Sequence, residues 1–326
     1  MSTLDGPSLR ERLRAGTAAV LVPETERDRA RRRIAVLAVP FLALATFGAF
    51  VPVAVMVRMS LSTSNFRIEG VALDAYRELF ASILAFVPVL GSGIEVNAVY
   101  GSVIWNSLWF GVLTTVASVV VGIAIAHGLE KYDLPAEGLL VTLISFPISL
   151  PGIVAAFMMI VWFGKTGVLT NFLAFLSGAD PGALQLTGQP SGTLLAVLGL
   201  FFGYLYSMIP RATFLLRGTY AEVNTDAEEA ARSLGATPWQ TFRYVTLPQI
   251  RPGIVGALIL TFRTALAIFG TVLVLKALSV VTFRFDQEIK VGFDLAMASA
   301  LATVFFAFTV AFTFLGLRYT SAEVTG

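Results

Sequence analysis

The chain has little of what most soluble proteins and many enzymes depend on. It contains no cysteine and a single histidine, His127, and only 13% of its 326 residues are charged. The lack of cysteine excludes disulfides, zinc–thiolate sites and cysteine nucleophiles, and one histidine cannot form a histidine-rich metal cage. A charged fraction about half that of typical soluble domains excludes a soluble globular fold. The 23 basic and 21 acidic residues nearly cancel, so net charge gives no indication of nucleic-acid binding.

Apolar sequence is what the chain has in abundance. Hydrophobic residues make up 56% of it, and the mean hydropathy is +0.79. A helix needs about 20 apolar residues to cross the hydrocarbon core of a bilayer. Six runs meet that length, at residues 34–57, 105–127, 138–164, 193–216, 253–275 and 295–317. We predict an all-α, polytopic integral membrane protein with six transmembrane helices.

The distribution of Lys and Arg predicts the orientation of these spans. Eight arginines precede residue 34, and five more, assigned to one loop, lie between residues 211 and 251. With both segments inside, bases on the inner side outnumber those outside roughly two to one, as the positive-inside rule requires. We therefore predict a multi-pass membrane protein with both termini cytoplasmic.

This orientation divides the chain into five parts. They are a cytoplasmic Arg-rich tail at 1–33, a first transmembrane helix at 34–57, an external loop at 58–104, a five-helix core at 105–317 and a cytoplasmic tail at 318–326. Within the external loop, the apolar run 79–91 is too short to cross and is broken by Pro88, so we predict an interfacial helix there. The core includes a charged cytoplasmic loop at 217–251.

That loop contains the sequence TDAEEAARSLGATPWQTFRYVTLP, residues 225–248, which predicts a first short helix. Thr225 and Glu228 have the spacing of a capping box, in which the threonine caps the helix and the glutamate reaches back to it. Gly235 follows at the position where a left-handed residue ends a helix.

A second helix is predicted directly after this glycine. Thr237 and Gln240 repeat the capping-box spacing, with proline between them at the first helical position. We expect this helix to end at Pro248, just before the fifth span. The pair carries apolar side chains that are unusual in an aqueous loop, and two interpretations stay open: a self-packed hairpin, or a docking element for a partner protein.

The same residues resemble a known signature, E-A-A, three residues, glycine, nine residues, an aliphatic residue, one residue, Leu-Pro. The matching positions are Glu229, Ala230, Ala231, Gly235, Val245, Leu247 and Pro248. This resembles the EAA loop of MetI-like permease subunits of binding-protein-dependent ABC importers, with valine where isoleucine is commoner. The resemblance extends over about residues 100–317.

The resemblance implies a function, a location in the bacterial inner membrane and a set of partners. In that family the loop is a coupling helix that sits in a cleft of the ATPase subunit, and here the exposed Trp239 joins the residues assigned to coupling. The implied partners are two cytosolic ABC ATPases, a second permease in a homo- or heterodimer, an external solute-binding protein and membrane lipid. The chain itself is then a transport subunit without enzymatic activity or cofactor, and the ATPase binds ATP and Mg.

Three other sequence features have mainly structural interpretations. The segment FGKTG at 163–167 is not a P-loop, because Met159 stands where the first glycine is required, so ATP hydrolysis belongs to another chain. Gly199 and Gly203 form a G-x-x-x-G pair, which we interpret as a site of close helix packing. His127 is interpreted as a solvated helix-end residue in preference to a proton relay.

Candidate translocation residues lie inside the spans. Pro147 and Pro151 fall in the middle of the third span, where each frees a carbonyl and bends the helix. The freed carbonyls, together with Ser145 or Ser149, either line the path or are buried in protein. Arg263 lies deep in the fifth span, and it is either a structural partner between helices or a path-lining residue.

Arg263 and the lack of acids in all six runs favour an anionic solute. The segment 262–271 also resembles part of the sulfate and molybdate permeases. We therefore expect a sulfate-, molybdate- or phosphonate-like solute, with polyamine or iron as the alternatives. The rival function is an ion-gradient-driven secondary transporter or channel, which predicts intramembrane carboxylates that the six runs lack.

Overall fold

A computed structural model of the chain describes residues 26–86 and 98–325, and these residues form helices without any strand. In chain order the helices are α1 Glu26–Ser60, α2 Asp74–Phe86, α3 Val99–Lys131, α4 Glu137–Ser145, α5 Gly152–Phe163, α6 Val168–Ser177, α7 Pro181–Leu184, α8 Leu194–Tyr220, α9 Thr225–Ser233, α10 Pro238–Thr241, α11 Leu247–Ala267, α12 Gly270–Leu275, α13 Val281–Gln287 and α14 Leu295–Thr325. The all-α class is confirmed. Most of the predicted N-terminal tail, and the end of the predicted interfacial helix with Pro88, lie outside the described residues.

The predicted number of spans is also confirmed. The described residues contain six segments long and apolar enough to cross a membrane, at Arg33–Ser60, Val99–Lys131, Gly152–Ser177, Leu194–Tyr220, Pro238–Ala267 and Leu295–Arg318. The first, second, fourth and sixth coincide with predicted runs to within a few residues. The third and fifth have different bounds. The third is shifted by a break in the predicted helix, and the fifth by a break near its end and by a helical segment that joins its start.

The chain divides into two compact units between Arg58 and Met59. The first unit contains nearly all of α1, a single long helix with Pro40 and Pro52 in its interior. Its most apolar window has a mean hydropathy of 2.4. Such a helix is long enough to anchor a protein in a bilayer by itself.

The core of the second unit is built on α3, α8 and α11, which pack against one another. Gly122 on α3 permits a close approach to α8, since a Cβ there would lie 3.0 Å from the Cβ of Ala212 and 3.1 Å from the amide nitrogen of Thr213. Small residues at such crossings let membrane helices pack closely. Buried side chains fill two clusters along these helices, which include Phe110, Leu200, Tyr204, Met208, Val119, Leu216 and Ile250.

Helix α2 differs from the predicted interfacial helix at 79–91. It begins at Asp74, and it packs against both α3 and α14. Leu79 is fully buried in a cluster with Tyr100 and Leu301. The apolar face of α2 therefore packs against other helices. The residues before the predicted start complete this face, which the run 79–91 alone did not reveal.

The third predicted span, 138–164, is not one helix. Helix α4 passes into a 3₁₀ turn at Phe146–Ser149, and Leu150 and Pro151 are extended before α5 begins at Gly152. The predicted bend is thus confirmed as a complete break. The structure instead joins α5 to α6 in the third candidate span.

The fifth predicted span, 253–275, also contains a break. Helix α11 ends at Ala267, Ile268 is extended, and α12 follows after a short turn. This break packs against the one in the third span: a Cβ on Gly270 would lie 2.9 Å from the amide nitrogen of Ile153. The hydroxyl of Thr271 donates to the Gly152 carbonyl at 3.2 Å. The irregular backbone of both breaks is therefore packed against protein, as membrane segments require.

The G-x-x-x-G pair lies where the chain packs closely. A Cβ on Gly199 would lie 2.3 Å from the carbonyl oxygen of Leu186, and one on Gly203 would lie 3.0 Å from the Thr271 methyl group. The packing interpretation of both glycines is confirmed, although Gly199 contacts a connecting loop and not another span.

Candidate functional site

The first helix of the 225–248 segment, α9, is capped one residue earlier than predicted. The side chain of Asn224 accepts a hydrogen bond from the amide of Ala227 at 3.3 Å, and Thr225 is already helical. The predicted capping box of Thr225 and Glu228 is wrong. It does not form because the Glu228 side chain is bound elsewhere in the fold.

The end of α9 follows the prediction. Gly235 has a left-handed φ of 88°, which few residues other than glycine adopt readily. The amide of Ala236 donates to the Ala231 carbonyl at 3.1 Å, and that of Gly235 donates to the Arg232 carbonyl at 2.9 Å. This pair of bonds is a Schellman motif, and it turns the chain sharply into α10.

The second helix starts as predicted but does not end as predicted. The capping box of Thr237 and Gln240 is present. From there, however, α10 continues through a π-helical turn at Phe242–Thr246 directly into α11. Pro248 does not end the helix, because the wider π turn lies immediately before the proline, where a proline in a regular α-helix would clash. The segment is therefore a rigid continuation of the fifth candidate span.

Apolar side chains are exposed around the turn between the two helices. Leu234 is 90% exposed, Trp239 69% and Tyr244 73%, and Ala230 is exposed beside a half-buried Ala231. We call these five residues the coupling surface. Tyr244 was missed by the sequence analysis, because its exposure depends on the π turn, which no sequence pattern marks.

The other residues assigned to coupling lie around this surface in different environments. Glu229 and Pro248 are exposed, Val245 is half-buried, and Leu247 packs against the buried cluster of α3, α8 and α11. They thus divide into an exposed set and a set that attaches the loop to the spans.

Glu228 connects the loop to two spans. Its carboxylate lies 2.6 Å from the Lys131 ammonium at the end of α3, and it accepts a hydrogen bond from the Thr246 hydroxyl in the π turn. The Glu228 residue is 5% exposed. Burial acts to raise its pKa, but the bonds from Lys131 and Thr246 outweigh this, and the pKa lies below its ordinary value of 4.5. No local sequence signal marks this role.

A lowered pKa in the folded protein makes Glu228 a source of pH-dependent stability. The contribution is present above the pKa of the unfolded state and is lost as the pH falls through the lower, folded-state value. We expect Glu228→Gln to lower the free energy of unfolding at pH 7 by about 1–3 kcal/mol, since it removes one partner of a buried ion pair. Thermal melting of the purified protein at pH 7 and at decreasing acid pH measures this.

The matched control is Glu229→Gln, because that neighbouring carboxylate is exposed. It should melt like the unmodified chain at pH 7. Equal melting temperatures of the two variants at pH 7 would contradict a stabilising role of the Glu228 network.

A second ion pair joins the ends of the spans near the loop. The guanidinium of Arg217, in α8, lies 2.5 Å from the carboxylate of Glu130 in α3 and 3.4 Å from that of Glu137 in α4. His127 lies nearby, but its ring packs edge-on against Phe242 at 4.9 Å between centroids. The predicted solvated histidine is right only in part, because His127 is half-buried and its ring packs against Phe242 in the π turn and Tyr220 at the end of α8.

Arg263 lies in α11, one turn before the helix ends at Ala267. It lines a cavity of about 410 Å³ between α8 and α11. Arg211, which the sequence analysis counted as a loop residue, is within α8 and lines the same cavity. The count of basic residues assigned Arg211 to the cytoplasmic loop, although residue 211 lies within the predicted span 193–216.

The other predicted path residues do not line this cavity. Pro147 is buried, the Ser145 hydroxyl donates to the Thr142 carbonyl in its own helix, and Ser149 and Pro151 are exposed. Ile148, within the same 3₁₀ turn, does line it. The helix break therefore forms part of the cavity wall, through a different residue from those predicted.

Comparison with known families gives a match over residues 118–321, more than half of the chain. The matching family is described as "Binding-protein-dependent transport system inner membrane component".

Two sulfate permeases and a polyamine permease are among the curated relatives. The sulfate transport system permease protein CysW of Synechococcus elongatus is 31% identical over 170 residues, which are 52% of this chain and 55% of that protein. CysT of Escherichia coli, also a sulfate transport system permease protein, is 30% identical over 196 residues, 58% of this chain and 65% of that protein. The spermidine/putrescine transport system permease protein PotB of Haemophilus influenzae is 27% identical over 206 residues, 63% of this chain and 64% of that protein. The chain thus spans less than two thirds of the length of each of these relatives.

A solved structure extends the likeness to nearly the whole chain. It is a bacterial ABC transporter involved in the import of the acidic polysaccharide alginate, with a TM-score of 0.71 and 16% identity. The match covers 90% of this chain and 96% of that one. At this identity the likeness shows a shared fold.

Proposed function

The chain belongs to the family of binding-protein-dependent transport system inner membrane components, and on that premise we propose that it is the permease subunit of an ATP-driven importer. A solute-binding protein delivers a small solute from outside. The solute moves into the cytoplasm by alternating access between this chain and a second permease. Two ABC ATPase subunits bind ATP and Mg and dock on the cytoplasmic side.

The attachment of the coupling surface to the spans carries this proposal. Helix α10 is continuous with α11, so a displacement of Trp239 moves the fifth candidate span as a rigid lever. Helix α9 is bound to α3 and α11 through Glu228. Closure of a partner on the exposed apolar side chains therefore acts on α3 and α11 at once.

The charges within the spans favour an anionic solute, of sulfate, molybdate or phosphonate type. Arg211 and Arg263 line the same cavity, and a cationic polyamine or iron ion there meets repulsion that a low dielectric strengthens. Two of the relatives described above are named as sulfate permeases, although a third is named for polyamines.

An ion-gradient-driven transporter or channel is the rival function, and the scarcity of acidic residues in the spans disfavours it. The six candidate spans of the described residues contain one acidic residue, Glu130. It lies at the very end of α3, where it pairs with Arg217. Coupling to protons or sodium ions commonly depends on carboxylates deeper in the membrane.

The energy source distinguishes the two functions. We expect proteoliposomes containing the assembled complex to accumulate radiolabelled sulfate only with internal ATP and the solute-binding protein. Dissipating the ion gradients with valinomycin and nigericin should leave that accumulation unchanged. Uptake that needs an ion gradient and proceeds without ATP would overturn the importer proposal.

A further inference from the structure

The cavity between α8 and α11 contains two cationic side chains without an acidic partner. One N–H of the Arg211 guanidinium, at Nη1, donates to the carbonyl oxygen of Ser207 in its own helix. This oxygen is a neutral acceptor. Neither Arg211 nor Arg263 forms an ion pair with a carboxylate among the described residues. Arginine keeps its charge in proteins, so the cavity holds two positive charges with no counter-charge from this part of the chain.

The threonines in the same wall offer no free donor. Thr261 is 2% exposed, and its hydroxyl oxygen has almost no surface open to the cavity. The hydroxyl of Thr264 donates to the Leu260 carbonyl at 2.9 Å. Recognition of a ligand in the cavity therefore falls to the two arginines.

We propose that Arg211 and Arg263 form a binding site for a tetrahedral oxyanion of the sulfate type on the solute path. The inference rests on the proposed transport function and names the residues that recognise its solute. Guanidinium groups match the oxygen edges of such an anion with paired N–H donors. Two arginines neutralise a divalent anion in a region that otherwise excludes charge.

The size of the cavity suits a partly hydrated anion. Its volume is about 410 Å³, whereas one water takes about 30 Å³ of liquid volume. The anion therefore enters with several waters. Its contact with Arg211 replaces the bond to the neutral Ser207 carbonyl with a stronger, charge-assisted one.

Direct binding of sulfate to the membrane chain tests the site. The full-length chain, with any subunits that remain attached but without solute-binding protein, is placed in nanodiscs of the neutral lipid phosphatidylcholine. Radiolabelled sulfate is then titrated at constant ionic strength, with spermidine and chloride as competitors. We expect saturable binding that unlabelled molybdate displaces and that spermidine and chloride do not.

Variants assign the binding to the cavity. Arg211→Gln and Arg263→Gln should each weaken sulfate binding at least about tenfold, since each removes a charge-assisted hydrogen bond. Thr261→Val should bind like the unmodified chain, because the Thr261 hydroxyl has almost no surface open to the cavity. Arg251→Gln is the matched control, because it makes the same change at an exposed position on α11 outside the cavity, and it should bind like the unmodified chain.

Three outcomes would overturn the proposal. If sulfate binding is absent, or is equal in all variants, the arginines do not form the site. Binding that disappears when phosphatidylglycerol replaces phosphatidylcholine would assign the cavity to a lipid headgroup. ATPase co-purification is scored on the same samples, so that loss of the oxyanion site is distinguished from failure of the importer function.

Discussion

Replacing Leu234 by lysine is expected to abolish solute uptake and co-purification of the ATPase, while the chain still folds and inserts. Leu234 is 90% exposed, so the change removes almost no packing within the chain. It lies at the C-terminal cap of α9, where a positive charge is favourable. Under the proposed docking of these apolar side chains against the ATPase, however, an unpaired ammonium group in the interface costs about 3–5 kcal/mol, which weakens docking at least about a hundredfold.

Pull-down of the ATPase with the tagged chain measures docking, and vesicle uptake measures transport. Ala221→Lys is the matched control, because Ala221 is also an exposed C-terminal cap residue, on α8, and lies outside the coupling surface. It should retain both activities. Full co-purification with Leu234→Lys would show that the coupling surface does not bind the ATPase.

The second large effect is expected for Gly270→Val, which is aimed at the contact between the two helix breaks. A Cβ at Gly270 would lie 2.9 Å from the amide nitrogen of Ile153 and 3.2 Å from the carbonyl carbon of Gly152. Backbone atoms cannot rotate away as a side chain can. Overpacking of this kind typically costs about 1–3 kcal/mol, and here it also threatens the bond from Thr271 to the Gly152 carbonyl. We expect a lower melting temperature and reduced uptake.

The matched control for this variant is Gly256→Val in the interior of α11. A Cβ at Gly256 meets no atom within 4 Å, so the same exchange has room. Valine is also a better helix former than glycine. If Gly270→Val melts at the same temperature as Gly256→Val, the two breaks do not depend on close contact, and the interlocked arrangement is wrong.

Features that depend on neighbours in the chain could be predicted from the sequence. Six apolar runs predicted six spans, because the length needed to cross a bilayer is a local property. The left-handed Gly235 and the capping box of Thr237 and Gln240 were predicted for the same reason, since each is made by residues a few positions apart. The family signature lies within this same short segment.

Other features were decided when distant helices packed. Asn224 replaced Thr225 as the cap because Glu228, the expected partner of Thr225, is paired with Lys131, 97 residues away in the chain. Pro248 did not end its helix, because a π turn before it provided room for the ring. Neither outcome has a local signal.

The candidate solute site shows the same division. Sequence alone determined that Arg263 lies in an apolar span without acids, and thus that its charge needs a partner from elsewhere. Only the tertiary structure brought Arg211 to the same cavity as Arg263 and separated that cavity from the serines and prolines predicted to line the path. The physical reason is that hydropathy and capping are set by adjacent residues, whereas the side chains that face a common cavity depend on how whole helices cross and where they break.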